Sequence, residues 1–179
     1  MKIGFCGTMS VGKTTLVNAL KELPEFKDYT FRTERSKYLR DLGIPLNTDS
    51  TLKGQLIFLA ERASELLHEN MITDRTVIDV MAFSHLSTTI PFFISADLNK
   101  AVSELIEDYD YIFYVSPEGV ELEDNGVRVV DSEYRMELDK TIKKLLEQHK
   151  FKFNTIEGYA ELSGTTEERI QKIKQVMSL

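Results

Sequence analysis

The spacing richest in chemistry runs from Gly7 to Thr15: Gly7-Thr8-Met9-Ser10-Val11-Gly12-Lys13-Thr14-Thr15. It reads G-x-x-x-x-G-K-T without a gap. The glycines let the backbone turn sharply and approach a ligand closely. Amides at such a turn, just before a helix, collect partial positive charge where a phosphate can sit. Lys13 can reach the outer phosphates, and the Thr14 hydroxyl can ligand Mg²⁺. Lys2-Ile3-Gly4-Phe5-Cys6 before the motif reads as a short buried strand. Leu16-Val17-Asn18-Ala19-Leu20 after it continues as an apolar-periodic helix, so the strand–loop–helix context of the motif is complete. The expected ligands are a nucleoside triphosphate and Mg²⁺. The motif alone does not say where the phosphate goes.

Three further constellations bear on that question. Asp74 follows a short apolar run and would bring a carboxylate beside the phosphate loop. An acid there either holds Mg²⁺ or takes a proton from an attacking hydroxyl; the plain alternative is a strand-end helix cap. Arg75 can clamp a phosphate bidentately or form a surface ion pair. Glu34 closes another strand, where it can accept a hydrogen bond from a sugar hydroxyl and act as general base, or stand as a solvated turn residue. Arg35 and Arg32 beside it can bind an acceptor phosphate. Asp79 can reach the acceptor, or can simply be an acid favoured by a helix N-terminus. The third constellation is Asp124-Asn125-Gly126-Val127-Arg128 with Arg135 beyond. Arginines arriving on a closing loop can stabilise transferring phosphate and exclude water, or the segment is a solvated acidic loop with incidental arginines. Phe83, Phe92 and Phe93 either stack on a base or sugar or belong to a core.

These residues need elements to hold them. The order expected is β-α-β-α-α-β-α-α-β-lid-α-β-α. Strands are placed at 2–6, 29–33, 71–73, 111–115 and 151–156, and helices at about 13–23, 36–42, 51–69, 77–88, 96–109, 131–149 and 165–177, the last opened by a Thr165-x-x-Glu168 capping box. Residues 91–94 read as an apolar link, and the polar stretch 118–130 as a mobile loop, giving a lid at about 118–135. Strands alternating with helices predict an α/β fold: a doubly wound five-stranded parallel sheet with right-handed crossovers. Ligands then bind beyond the C-terminal strand ends, where Gly7, Glu34, Asp74 and Ser116 would line one rim.

A length of 179 residues fits a single domain, 1–179. With 29 acidic against 22 basic residues the net charge is -7, which disfavours general nucleic-acid binding. No apolar run is long enough for a membrane span. Met1-Lys2-Ile3 runs straight into the first strand, so no signal peptide is expected and the cytoplasm is the expected compartment. Cys6 is the only cysteine, which excludes an intrachain disulfide. His68, His85 and His149 are far apart and read as ordinary helix residues. A homodimer is the default assembly.

Together the phosphate loop at 7–15, Glu34-Arg35, Asp74-Arg75 with Asp79, and the lid from Asp124 to Arg135 resemble the small P-loop kinases. That group includes ribosylnicotinamide kinase domains and thymidylate-kinase-like nucleotide kinases. The resemblance implies transfer of the ATP γ-phosphate to a nucleoside or nucleotide. It also implies that residues 158–166 form the loop beside adenine. Thr76 follows Arg75, so the Asp-Arg-Tyr/Phe of thymidylate kinases is absent, and so is an N-K-x-D guanine reader. Two other readings stay open: a kinase acting on a polynucleotide or on a hydroxymethylated base in DNA, and a nucleotide-dependent switch or binding module.

Overall fold

A computed structural model describes residues 1–33, 35–119, 132–150 and 159–179. The expectations at Glu34, Asp124, Arg128, 151–156 and Gly158 lie outside the described residues. The strands are β1 (Lys2–Cys6), β2 (Thr30–Arg32), β3 (Met71–Thr73), β4 (Tyr111–Val115) and β5 (Ala160–Leu162). The α-helices are α1 (Lys13–Lys21), α2 (Ser36–Asp41), α3 (Leu52–Glu65), α4 (Val77–His85), α5 (Phe92–Ser103), α6 (Ser132–His149) and α7 (Thr166–Met177).

All five strands are parallel, in the order β2-β3-β1-β4-β5. The pattern of β1 explains its central place. Ile3 and Phe5 point to one face, and Gly4 and Cys6 to the other, because side chains alternate along a strand. Ile3 and Phe5 join Ile72, Phe113 and Val115 in a core closed by Leu16, Val17 and Leu20 of α1 and Ile173 and Met177 of α7. Cys6 joins Met71, Ile112 and Tyr114 in a second core, closed by Ile78, Met81, Leu98, Leu138 and Ile142 from α4, α5 and α6. The sheet is thus covered on both faces, as a parallel sheet requires. A Cβ on Gly4 would stand 2.5 Å from Thr76 Cγ2 and 2.8 Å from the Tyr109 ring, so glycine lets the start of α4 sit against β1.

Two elements depart from expectation. The strand that pairs with β4 is Ala160–Leu162, inside the stretch 158–166 expected as a loop, with Phe113 opposite Ala160 and Val115 opposite Leu162. Helix α5 starts at Phe92, not at residue 96, with Pro91 as its N-cap residue. Proline's fixed φ suits the entry to a helix. Phe92 and Phe93 are 75% and 65% exposed, so neither belongs to the core. No helix among the described residues is long and apolar enough to cross a membrane.

Candidate functional site

The chain leaves β1 at Cys6 and enters α1 at Lys13. Between them Gly7 has φ +147°, Ser10 +57° and Gly12 +81°. A Cβ on Gly7 would meet the Val115 carbonyl oxygen at 2.6 Å, which only glycine avoids. Met9 and Val11 are buried and pin the turn from below. The Lys13 ammonium folds across the turn and donates to the carbonyls of Gly7 at 2.8 Å and Thr8 at 2.6 Å. It is 6% exposed.

β3 runs parallel to β1 and delivers Asp74 to the same rim, its amide donating to the Arg32 carbonyl at 2.9 Å. The Thr14 hydroxyl donates to Asp74 Oδ2. The first turn of α1 and the acid after β3 therefore meet. Both groups offer hard oxygen donors. Mg²⁺ in nucleotide sites takes one or two protein oxygens and completes its shell with phosphate and water, so the pair fits that ion.

Arg75 Nη1 donates to the Gly7 carbonyl at 3.2 Å and to Asp79 Oδ1 at 3.0 Å, while its guanidinium lies 5.1 Å from the Phe83 ring centroid. Asp79 is 2% exposed. It accepts from the Gly7 amide at 3.3 Å and the Thr76 amide at 2.8 Å, the latter as part of a capping box that starts α4. Its carboxylate thus ties α4 to the phosphate loop. Cys6, beneath the loop, is pushed well above the usual thiol range by burial and then by the Asp79 charge, and so is no nucleophile at neutral pH.

The remaining predicted residues are spread around this centre. Arg35 is the N-cap residue of α2; it pairs with Glu61 at 3.2 Å and lies 4.4 Å from the Tyr38 ring centroid. Glu34 and Arg128 are outside the described residues. Arg135 lies in the first turns of α6. Burial lowers its pKa from the usual arginine value, opposed by the charges of Asp139 and Tyr114. The Tyr114 hydroxyl donates to Asp139 at 2.5 Å, which fastens α6 to β4.

One residue at the loop carried no expectation. Arg169 of α7 is 5% exposed, and its Nη1 donates to the Val11 carbonyl at 2.6 Å. The signal was in the spacing. Arg169 stands four residues before Ile173 and eight before Met177, on the stripe that faces the core.

The comparisons agree with the fold. A family model described as AAA domain matches residues 2–169. No curated protein sequence matches the chain. Among solved structures, a deoxyadenosine kinase from M. mycoides with bound dATP superposes with a TM-score of 0.65 at 18% identity, covering 100% of both chains. The NadR protein in complex with NR gives 0.71 at 15% identity, over 99% of this chain and 51% of that one. A thymidylate kinase from Ehrlichia chaffeensis gives 0.63 at 17% identity, over 98% of each chain. The chain belongs to the AAA domain family, and its five-stranded parallel α/β sheet has the fold of the small P-loop nucleotide kinases.

Proposed function

We propose that the protein transfers the γ-phosphate of ATP to a nucleoside hydroxyl or a nucleotide phosphate. The observation that carries this reading is the meeting of Thr14 and Asp74 beside a loop spanned by the Lys13 ammonium. The loop amides and Lys13 bind the β- and γ-phosphates and stabilise their charge in transfer. Thr14 and Asp74 would hold Mg²⁺, which would supply positive charge against the phosphates.

The acceptor oxygen forms a bond to the γ-phosphorus as the bond to the β–γ bridging oxygen breaks, and ADP leaves. A hydroxyl acceptor gives up its proton to a carboxylate. Asp74 already receives the Thr14 hydroxyl on one oxygen, so Glu34 is the better candidate for that proton. Arg35 is assigned to the acceptor side. Arg128 and Arg135 are assigned to closure over the transferring phosphate. Arg75 and Asp79 serve the loop at Gly7. The solved kinases and the NadR complex with NR support a nucleoside-type acceptor by likeness of fold.

The test is a panel of nucleosides and nucleoside monophosphates incubated with γ-labelled ATP and Mg²⁺. Label is expected on at least one acceptor, and Lys13→Ala should slow its transfer by about a hundredfold or more. Label that stays on ATP or appears only as free phosphate across the panel overturns the reading.

A further inference from the structure

We propose that Arg169 is a positioning residue for the phosphate loop: it orients the Val11–Gly12 peptide so that the Gly12 amide is presented to bound phosphate. The inference rests on the nucleotide-binding reading above and adds to it a part supplied by the last helix of the chain.

The contact spans 158 positions of sequence. A capping box fixes the entry to α7: Thr165 accepts from the Glu168 amide at 3.2 Å, and Glu168 returns to the Thr165 amide at 2.7 Å. Ile173 and Met177 anchor the same face of α7 against the sheet. Arg169 therefore comes from a rigid element. Its partner is the carbonyl just before the helix start at Gly12.

A peptide is planar and trans, so the carbonyl of Val11 and the amide of Gly12 point to opposite sides. Holding that carbonyl toward α7 turns the Gly12 N–H away from α7. The bond is charge-assisted, and hydrogen bonds in series polarise the peptides they share, which makes the Gly12 amide a better donor to an anion. Gly12 also leaves the room this needs: a Cβ there would stand 3.2 Å from Arg169 Nη1, in a backbone with φ +81°. Burial lowers the pKa of Arg169 from the ordinary arginine value, yet the group stays cationic. Among the described residues its Nε has no hydrogen-bond partner. Burying a cation this far, for one carbonyl, is costly as scaffolding. It is accounted for if the charge also lies behind an anion site.

The experiment uses the full chain, a fluorescent ATP analogue with Mg²⁺, and ¹⁵N spectra with Gly12 assigned. Arg169→Gln is expected to loosen the nucleotide by about thirtyfold. The KM for ATP should rise, and the KM for the acceptor should hold. Arg169→Lys keeps the charge and one donor on a different geometry, and should loosen it by about fivefold. In both variants the Gly12 amide resonance should move more than amides elsewhere in α1. If Arg169→Gln does not fold, Arg169→Lys carries the test. A folded variant with wild-type affinity and an unmoved Gly12 resonance overturns the proposal while leaving the kinase reading intact. A wild-type chain that binds no nucleotide overturns both.

Discussion

Gly7 is the residue at which sequence, backbone and site are hardest to separate. Its φ of +147° and the Val115 oxygen 2.6 Å from where a Cβ would lie exclude every side chain. Gly7→Ala is expected to cost about 3 kcal/mol of stability, from backbone strain and overpacking together. Urea denaturation measures it, and an unchanged midpoint would refute the argument. The variant should also lose ATP affinity, since both the carbonyl and the amide of Gly7 are used by the site. This part of the site was legible because loop geometry is local: two glycines, a lysine and a threonine dictate it. The partners of Arg75 and Asp79 were not, because an acid and a base one helical turn apart read the same whether exposed or buried. Here α4 packs against the core and turns both toward Gly7.

Among the elements, α4 and α5 are joined by a polar contact inside their packing. Asn99, 7% exposed, donates from Nδ2 to His85 Nδ1 at 2.8 Å, and the Ser84 hydroxyl lies 3.1 Å from Asn99 Oδ1. The contact requires an unprotonated Nδ1. Burial, then the Lys144 charge, lowers the His85 pKa below its ordinary 6.5. The unfolded chain therefore takes up a proton before the folded one does. Stability from this contact is fully present above about pH 6.5 and falls as pH drops through the folded-state pKa. Urea midpoints of wild type and His85→Gln should diverge less at about pH 5.5 than at about pH 7.5; an equal gap at both would refute the assignment. The elements also show what period can and cannot say. Thr165-x-x-Glu168 announced α7 because capping is a local bargain between neighbours. The strand β5 spans three residues with exposed Glu161 in the middle, too short for alternation to stand out. Its place is set by pairing with β4, which no local pattern encodes. The aromatic run at 92–93 misled because its hydrophobicity suggested burial, while Pro91 already marked a helix start.

At the scale of the whole molecule, β1 at the centre of the sheet separates two cores, and the loop at its end touches elements from both. Asp79 and Arg75 reach it from the α4 side, and Arg169 from the α7 side. A ligand held there should stabilise the whole chain by mass action. ATP with Mg²⁺ at about a hundredfold over Kd should raise Tm by about 5–10 °C. Chelating the metal with EDTA should remove most of that shift, and Lys13→Ala should abolish it. A shift that survives both would place the nucleotide elsewhere. The parallel pairing of the strands followed from their alternation with helices, which is why the α/β class could be read in advance. The tie from α7 to the loop could not, because it joins residues 158 positions apart.

The Gly7 carbonyl receives two cations at once, Lys13 Nζ at 2.8 Å and Arg75 Nη1 at 3.2 Å. Asp79, 3.0 Å from the same Arg75 nitrogen, balances one of the two charges, and the fold holds both cations beside the loop. An arriving oxyanion thus meets two cations already gathered at the loop. Even a plain tetrahedral salt anion should be welcome: sulfate is expected to compete with ATP and to protect the resting protein against heat, where chloride at equal ionic strength does neither.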